Sequence, residues 1–497
     1  MSVTCDQKPL HSTMSPDLHS ILRAMKDRST EAAALVTKAY HFATETHEGQ
    51  KRLSGEPYLL HEVATARTLA ELGMDAEAIA AGLLHDVIDD GGVEAKKVAT
   101  QFGENTLFMV ESVSRLSRLK YRGDEAERHA ETLRKLFVAM AKDIRVLIVK
   151  LACRLHNVQT LEYIPVEKQR RQALETLDIY ARLADRLGMG KLKEELEDGA
   201  FPYADPDDYE RVREILKTQR KESDERLEKL YRSLATELGK QGIRAKVDYR
   251  VKGLYSTYKK LVEKEWHLED INDLAALRVV VDSIESCYRT LGVIHGSWTP
   301  FPNRLRDYIA TPKSNGYQSL HTVIFTGDGG RAEIQIRTEK MHQDAEYGIV
   351  SHVAYTEAGK PKDGARMVGR NLQWVKQLLE WQKQLATSSS GEFLQGLKTD
   401  FFQYQIFVFT PKGDVLELPQ GATPIDFAYA IHSDIGDHVT GVHINTKFAA
   451  LDTELKNGDV VEVITKKNAR PSEKWLEHVK TSLARRHIRS VLSQRIK

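Results

Sequence analysis

The hydrophobic period of this chain changes once, near Gly242, and that change limits what each half can fold into. Before it, apolar residues recur three and four apart in EAAALVTKAYHFATETH (31–47), HEVATARTLAELG (61–73) and DAEAIAAGLLHDVIDD (75–90), with short Gly- or Asp-containing breaks between them. That spacing belongs to amphipathic helices. After it, ALRVVVD (276–282), GVIHGSW (292–298), SLHTVIFTG (319–327) and RAEIQIRT (331–338) read as strands, among helical stretches LYSTYKKLVEK (254–264) and EKMHQDAEYGIVSHVAY (339–355). A period of 3.6 and a period of 2 cannot share one layer, so the chain reads as a multidomain protein of the α and α+β classes.

The boundaries follow from these shifts. Residues 1–25 read as an N-terminal tail, polar and aperiodic to about residue 15, with a helix start at Ser15-Pro16-Asp17. Residues 26–200 form an all-helical domain, and 201–242 a connector of strongly charged helices whose polar faces suit a spacer more than a core. Residues 243–358 form a mixed-sheet domain, followed at 359–402 by a linker, GKPKDG, and a helix, NLQWVKQLLEWQKQLA. QIFVFTP, GDVLELP, PIDFAYAIHSDIG, GVHINTK and DVVEVIT make a small β-grasp-like unit at 403–466, and 467–497 a basic helical segment. No apolar run reaches the ~18 residues of a membrane span, and the N-terminus lacks the apolar core of a secretion signal, so a cytoplasmic protein without a membrane partner is expected. Cys5, Cys153 and Cys287 are too few and too scattered for a disulfide framework. The 72 basic and 71 acidic residues cancel, so nucleic-acid contact would need a local patch.

Two constellations carry chemistry. On a helical wheel for 76–90, Ala76, Ile79, Ala80, Leu83 and Val87 make an apolar stripe, and His85, Asp86, Asp89 and Asp90 gather on the other side. Adjacent imidazole and carboxylate suit a divalent metal; a solvated acidic helix end is the plainer reading. His61, and Cys153, Asn157 and Thr160 at i, i+4 and i+7, complete that set. In YRVKGLYSTYKK, Arg250, Lys252, Ser256 and Lys260 place three cations and a hydroxyl near a helix start, which is phosphate-binding chemistry or a solvated basic face. Asp273 and Glu333 sit at or beside strands, where paired carboxylates hold Mg²⁺ for phosphoryl transfer or pair with arginines such as Arg278 and Arg337.

QKRLSGEPYLLH, LLHDVIDD and KLACRLHNVQTL resemble the hydrolase domain of the RelA/SpoT homologue family. That domain is an HD-type phosphohydrolase that removes the 3′-pyrophosphate of the alarmone (p)ppGpp with Mn²⁺. The resemblance implies His61, His85 and Asp86 as metal ligands, Asp89 and Asp90 as activators of the attacking water, and Arg52, Ser54, Asn157 and Thr160 around the nucleoside. Two positions depart from the family pattern. Asp89-Asp90 replaces Glu-Asp, and Cys153 stands where KLADRLHN has its fourth ligand, an aspartate. Cysteine ligates as thiolate, a softer donor that prefers zinc or iron to manganese. Three outcomes stay open: a changed metal, a site with three protein ligands, or a silent hydrolase. A buried thiol serving as a small apolar residue is the bland alternative to ligation.

RLRDYIATPKSNGYQSLHT resembles the synthetase domain of the same family, a nucleotidyltransferase-like fold that transfers pyrophosphate from ATP to the 3′-hydroxyl of GDP or GTP. The resemblance implies Asp273 and Glu333 for Mg²⁺, with Glu333 also activating the 3′-hydroxyl. It implies Arg250, Lys252, Ser256 and Lys260 for ATP, and Tyr317 stacked on guanine beside Lys313, Asn315 and His321; a core tyrosine is the plainer alternative. The basic Arg304-Leu305-Arg306-Asp307 stretch is similar to that of members with both activities. FVFTPKGDVLELPQGATPIDFAYAIHSDIGDHVTG resembles a TGS domain, which in this family contacts the CCA end of deacylated tRNA on the ribosome. There His432 matches the contact position, although a histidine inside such a helix is more often structural. Family members continue through further domains, so the chain is read as naturally short or as part of a longer one. The expected function is (p)ppGpp synthesis with an HD domain of altered or lost activity; full bifunctionality and a catalytically silent tRNA or ribosome sensor are the alternatives.

Overall fold

The computed structural model describes residues 16–115, 125–267, 275–313, 315–327, 330–351, 378, 390–401 and 405–494. The chain divides into two compact units, Met1–Leu119 with Lys135–Lys376 and Lys120–Arg134 with Gln377–Lys497. Most of the 359–402 segment and Asp273 lie outside the described residues.

The first unit opens with helices α1 (Pro16–Ala24), α2 (Thr30–Thr46), α3 (Leu59–Leu72), α4 (Ala76–Leu84), α5 (Ala95–Phe102) and α6 (Glu104–Arg115). The second half of α7 (Glu125–Lys142), α8 (Arg145–Gln159), α9 (Val166–Glu175), α10 (Ala181–Arg186) and α11 (Gly190–Ala204) follow. Leu18, Ile21 and Met25 are buried, so the tail expected to run to residue 25 includes a packed helix from residue 16. Helix α4 is capped by the Asp75 side chain and stops at Leu84, with His85 at its C-cap. The wheel drawn to residue 90 therefore overextends: His85 to Asp90 lie in turns, and His85 is buried where the wheel set it on a polar face.

Helix α12 (Pro206–Lys240) is continuous, with the Asp205 side chain accepting from Asp208 N at its start. The spacer reading of 201–242 needs correction. Leu227, Leu230, Leu234 and Leu238, three and four apart, are buried in the core beneath the sheet, each stabilising the fold by about 1.5–3 kcal/mol. Nearer its start, Val212 packs with Phe201 and Leu261.

The sheet runs β1 (Ala245–Val251), β2 (Ala275–Val281), β5 (Arg331–Thr338), β4 (Leu320–Phe325), β3 (Arg306–Asp307), with β2 and β5 parallel and the other neighbours antiparallel. Helix α13 (Leu254–Glu263) follows β1, α14 (Ile284–Ser297) follows β2 and α15 (Glu339–Tyr347) follows β5. GVIHGSW, expected as a strand, is the end of α14, which starts at the Ser283 cap and buries Ile294.

Strand alternation sorts the sheet into two faces. Leu277, Val279, Ala332, Ile334, Ile336, Leu320 and Ile324 enter the apolar core with α12 and α14. Glu333, Gln335 and Arg337 take the other parity, with Gln335 opposite Arg278 on β2 and His321 on β4.

The helical part and the sheet part meet at two glycines. Gly188 (φ +71°) follows α10, Gly348 (φ +60°) follows α15, and Ile349 N donates to Leu187 O at 2.9 Å. A Cβ on Gly348 would stand 2.1 Å from that carbonyl oxygen. Gly348→Ala is expected to cost about 1–3 kcal/mol, read as a fall of roughly 2–4 °C in Tm per kcal/mol by calorimetry; an unchanged Tm would show that the junction yields.

In the second unit, β6 (Gln405–Phe409) and β7 (Val415–Pro419) form a hairpin, and β8 (Val439–Ile444), β9 (Lys447–Ala449) and β10 (Val461–Thr465) a second sheet ordered β10-β8-β9. A parallel bridge, Phe409 to Val460, connects the two. α16 (Ser390–Gly396) precedes them, and α17 (Pro424–Ile431) and α18 (Ser433–Asp437) are inserted between the sheets. The 467–497 segment, expected as one basic helix, is two: α19 (Trp475–His478) and α20 (Ser482–Gln494). It packs on the small domain: Val479, Ala484 and Ile488 bury against Ile425 and Tyr429, and the buried Asp426 carboxylate accepts from the Lys480 and Thr481 amides. Among the described residues, no helix is long and apolar enough to cross a membrane.

Candidate functional sites

In the helical part, α3, the turn after α4, and α8 converge. His61 on α3 and His85 are 3% and 1% exposed, and their Nε2 atoms lie 3.1 Å apart. Cys153 Sγ on α8 is 3.5 Å from His61 Nε2, and Asp86 Oδ2 is 3.3 Å from His85 Nε2 and 3.9 Å from His61 Nε2. His85 Nδ1 lies 2.8 Å from the Gly82 carbonyl, which can only accept; that bond places a proton on Nδ1 and turns Nε2 toward the cluster. His61, His85 and Cys153 thus offer ligand atoms within 4.8 Å of one another, with Asp86 beside the two imidazoles.

Burial lowers His61 well below the ordinary imidazole range, and neighbouring positive groups lower it further. Burial also opposes a charge on His85, but Asp86 and Cys153 outweigh it and hold it at about 10. Burial would raise the Cys153 thiol, yet His85 and Lys150 bring it below its ordinary value. Asn157 Nδ2 donates toward Cys153 Sγ at 3.6 Å and its Oδ1 accepts from Arg52 at 2.9 Å. Arg52 and Asn157 are therefore brought together. Thr160 bonds back to His156 O, and Ser54 to Glu56 at the half-buried rim. The Tyr58 hydroxyl is within reach of Asp86 Oδ2 at 3.0 Å and Asp90 Oδ2 at 2.8 Å, while Asp89 is half-buried beside them.

Sequence reasoning passed over Tyr58 and His156, whose Nδ1 lies 2.9 Å from His61 Nδ1, although both stand inside the quoted motifs SGEPYLLH and KLACRLHN. The donor set suits a divalent ion, but its sulfur does not suit a hard one.

The second site lies on the polar face of the sheet, around a cavity of about 360 Å³. Arg250, Ser256, Lys313, Asn315, Tyr317 and His321 all line it. Glu333, 8% exposed, lies behind this lining and joins it through His321. His321 Nδ1 contacts Glu333 Oε1 at 2.8 Å, and Gln335 Nε2 donates to the same oxygen at 3.1 Å. Burial would raise the Glu333 carboxyl, but these bonds and Lys260 hold it at about 2. Burial keeps His321 below its ordinary value, so the neutral ring donates from Nδ1 and accepts the Tyr317 hydroxyl at Nε2, 2.9 Å away. Arg250 donates to Gln335 Oε1 at 2.7 Å. Lys252 and Lys260 stand close together; burial, then the Lys252 charge, lowers Lys260 to about 7. Glu333 is one of the two carboxylates expected for Mg²⁺; Asp273, the other, lies outside the described residues.

Acidic groups of the helical part reach this site, a feature the sequence did not disclose. Glu197 on α11, 1% exposed, accepts from Lys259 Nζ at 2.7 Å and from Ser256 Oγ at 3.4 Å. The Asp198 carboxylate accepts the first amides of α13, from Leu254 and Tyr255, and Asn315 donates to the Asp185 carbonyl. These contacts run through 185–198, upstream of the 201–242 connector.

In the small domain, His432 is not inside a helix. It sits exposed at the break between α17 and α18, where its Nδ1 accepts from Asp434 N and caps α18, a local structural role.

The structure thus sets a His, His, Asp and Cys cluster in a helical domain and a cation-surrounded carboxylate on a mixed sheet. Residues 39–190 match the HD domain, 249–360 the region found in RelA/SpoT proteins, and 406–465 the TGS domain. The chain is 43% identical over 483 residues, 97% of its own length and 67% of the relative's, to the guanosine-3′,5′-bis(diphosphate) 3′-pyrophosphohydrolase of Aquifex aeolicus. It is 44% identical over 455 residues, 92% and 64% of the two lengths, to the bifunctional (p)ppGpp synthase/hydrolase SpoT of Escherichia coli. The small alarmone synthetase 1 of Bacillus subtilis, solved with its product pppGpp, matches 35% of this chain and 99% of that one at 22% identity and a TM-score of 0.25. The chain belongs to the RelA/SpoT homologue family, and it spans 58% to 67% of the length of the curated relatives it matches.

The buried Glu197 carboxylate already holds Ser256 and Lys259, and its charge opposes a second anion beside them. Glu197→Gln is expected to lower the KM for ATP about three- to tenfold, roughly 1 kcal/mol; an unchanged KM would mean that Glu197 only packs.

Proposed function

We propose that the sheet site transfers the β,γ-pyrophosphate of ATP to the 3′-hydroxyl of GDP or GTP, giving (p)ppGpp and AMP. We further propose that the helical site is an HD-type (p)ppGpp 3′-pyrophosphohydrolase with an altered metal centre. One observation carries the first reading: residues assigned separately to ATP and to the guanine nucleotide meet around one cavity beside a buried, ionised carboxylate. The relatives' names support the same alarmone chemistry.

In this reading Arg250, Ser256 and the Lys252–Lys260 pair hold the triphosphate, because a loose, charge-spreading transition state needs cations and alignment more than covalent help. Tyr317, in its Asn-Gly-Tyr-Gln loop, offers an aromatic face to guanine. The 3′-oxygen bonds to the β-phosphorus as the bond from that phosphorus to the α-phosphate oxygen breaks, and the hydroxyl proton passes to Glu333. A carboxylate held at about 2 grips a cation more readily than it takes a proton, so proton transfer requires substrate to loosen the His321 bond. Mg²⁺, when bound with Glu333 and Asp273, would neutralise phosphate charge. In the helical site His61, His85, Asp86 and Cys153 would hold a divalent ion, which supplies an acidic water for hydrolysis. Tyr58 orients Asp86 and Asp90, and Arg52 with Asn157 borders the nucleoside. The exposed His432 fits a tRNA-contacting role for the small domain, tested by binding of deacylated tRNA to a His432→Ala variant.

Incubation with ATP, GDP or GTP and Mg²⁺, followed by nucleotide chromatography, is expected to yield equimolar AMP and (p)ppGpp. Glu333→Gln should lower the rate at least about a hundredfold; a variant near native rate would remove Glu333 from the reaction. Lys260 loses its proton as pH rises through about 7, so kcat/KM for ATP should fall above that pH. Lys252→Met, by removing the neighbouring charge, should move the fall upward, and an unmoved profile would assign it to another group.

A further inference from the structure

We propose that the helical site selects a thiophilic divalent cation of the zinc or ferrous class, bound through the Cys153 thiolate, over the hard manganese ion its family implies. This deepens the hydrolase reading and shares its residues, but it stands on the donor set alone.

The geometry is that of a site an ion can enter with little rearrangement. Metal–nitrogen bonds of about 2.0–2.1 Å and metal–sulfur bonds of about 2.3 Å imply tetrahedral ligand–ligand edges of roughly 3.3–3.6 Å. The His61–His85 edge is 3.1 Å, His61–Cys153 3.5 Å and His85–Asp86 3.3 Å, while His61–Asp86 at 3.9 Å leaves the carboxylate to move inward on binding. His61, His85 and Cys153 are all buried and offer atoms within 4.8 Å of one another. Edges of this size do not by themselves choose between metals; the sulfur does. Zinc accepts two imidazoles, a carboxylate and a thiolate, while manganese favours oxygen donors.

Two observations oppose a purely apolar role for Cys153. The side chain is 4% exposed, yet it faces His61 and an Asn157 amide donor, not aliphatic carbons alone. A donor to sulfur is what holds a thiolate ligand in place. On the other side, the Gly82 carbonyl holds His85 Nδ1 and turns Nε2 inward. Metal binding would release protons, since Cys153 and His85 both ligate in their deprotonated forms.

The test uses the full chain, stripped with chelator and reloaded. Co²⁺ is the probe, because a thiolate ligand adds a sulfur-to-cobalt charge-transfer band in the near ultraviolet that nitrogen and oxygen ligands lack. The native protein should show that band; Cys153→Ser and Cys153→Asp should not. Competition between equal Zn²⁺ and Mn²⁺, read by elemental analysis, should show a zinc preference at least about tenfold greater in the native chain than in Cys153→Asp. Cobalt bound by the native protein without the band, or equal preference in the two proteins, would overturn the proposal. The native spectrum decides even where a variant fails to fold. Hydrolysis of ppGpp, measured separately with each loaded metal, bears on the other reading: the band with no turnover in any form would leave the metal assignment standing and remove the hydrolase.

Discussion

The strict alternation of β5 is the constraint on which the sheet site depends. Along Arg331–Thr338, Ala332, Ile334 and Ile336 are buried in the core against α12 and α14, while Glu333, Gln335 and Arg337 face the other way. A slip of one residue would put a carboxylate and a guanidinium into that core and turn three apolar side chains onto the polar face, so the apolar packing of one face enforces the register that assembles the other. The parallel pairing with β2 and the antiparallel pairing with β4 then bring Arg278 and His321 beside Gln335, and β1 adds Arg250. An isolated buried carboxylate would be too costly to ionise. Glu333 is ionised because His321 and Gln335 complete its hydrogen bonds.

The helical site follows a different logic. Its ligands come from one helix, one turn and another helix, and each is set by a local device: α3 presents His61, the end of α4 releases His85 and Asp86 into a turn, and α8 carries Cys153 and Asn157 one turn apart. The polar surroundings of Cys153 are those of a ligand position, although its donor atom is sulfur. Helix α11 belongs to the helical part but serves the sheet site, because its Glu197 and Asp198 accept from α13. Whatever moves α11 against α13 alters the groups assigned to ATP.

Much of this was legible in the sequence, and the failures have physical causes. The strands ALRVVVD, SLHTVIFTG and RAEIQIRT carry clean period-2 patterns, so tertiary packing and local preference agree. GVIHGSW misleads because β-branched and aromatic residues at a helix end imitate a strand; the Ser283 cap upstream was the better signal. In α12 the leucines at 227, 230, 234 and 238 mark a buried stripe that the surrounding charge obscured. The turn at His85 breaks a helical pattern that continues in the sequence, because Asp86 and the residues after it take their positions from Tyr58 and the neighbouring imidazoles. Glu197 could not have been found, since its role exists only across a contact between segments some sixty residues apart.

Hydrogen–deuterium exchange with and without a non-hydrolysable ATP analogue, and then with GDP, tests most directly whether the polar face of the sheet is the nucleotide site. The account predicts slowed exchange in 250–263 on adding the ATP analogue and in 308–321 on adding GDP. Protection confined to the helical segment 52–90, or none at all under conditions where the nucleotides bind, would contradict it.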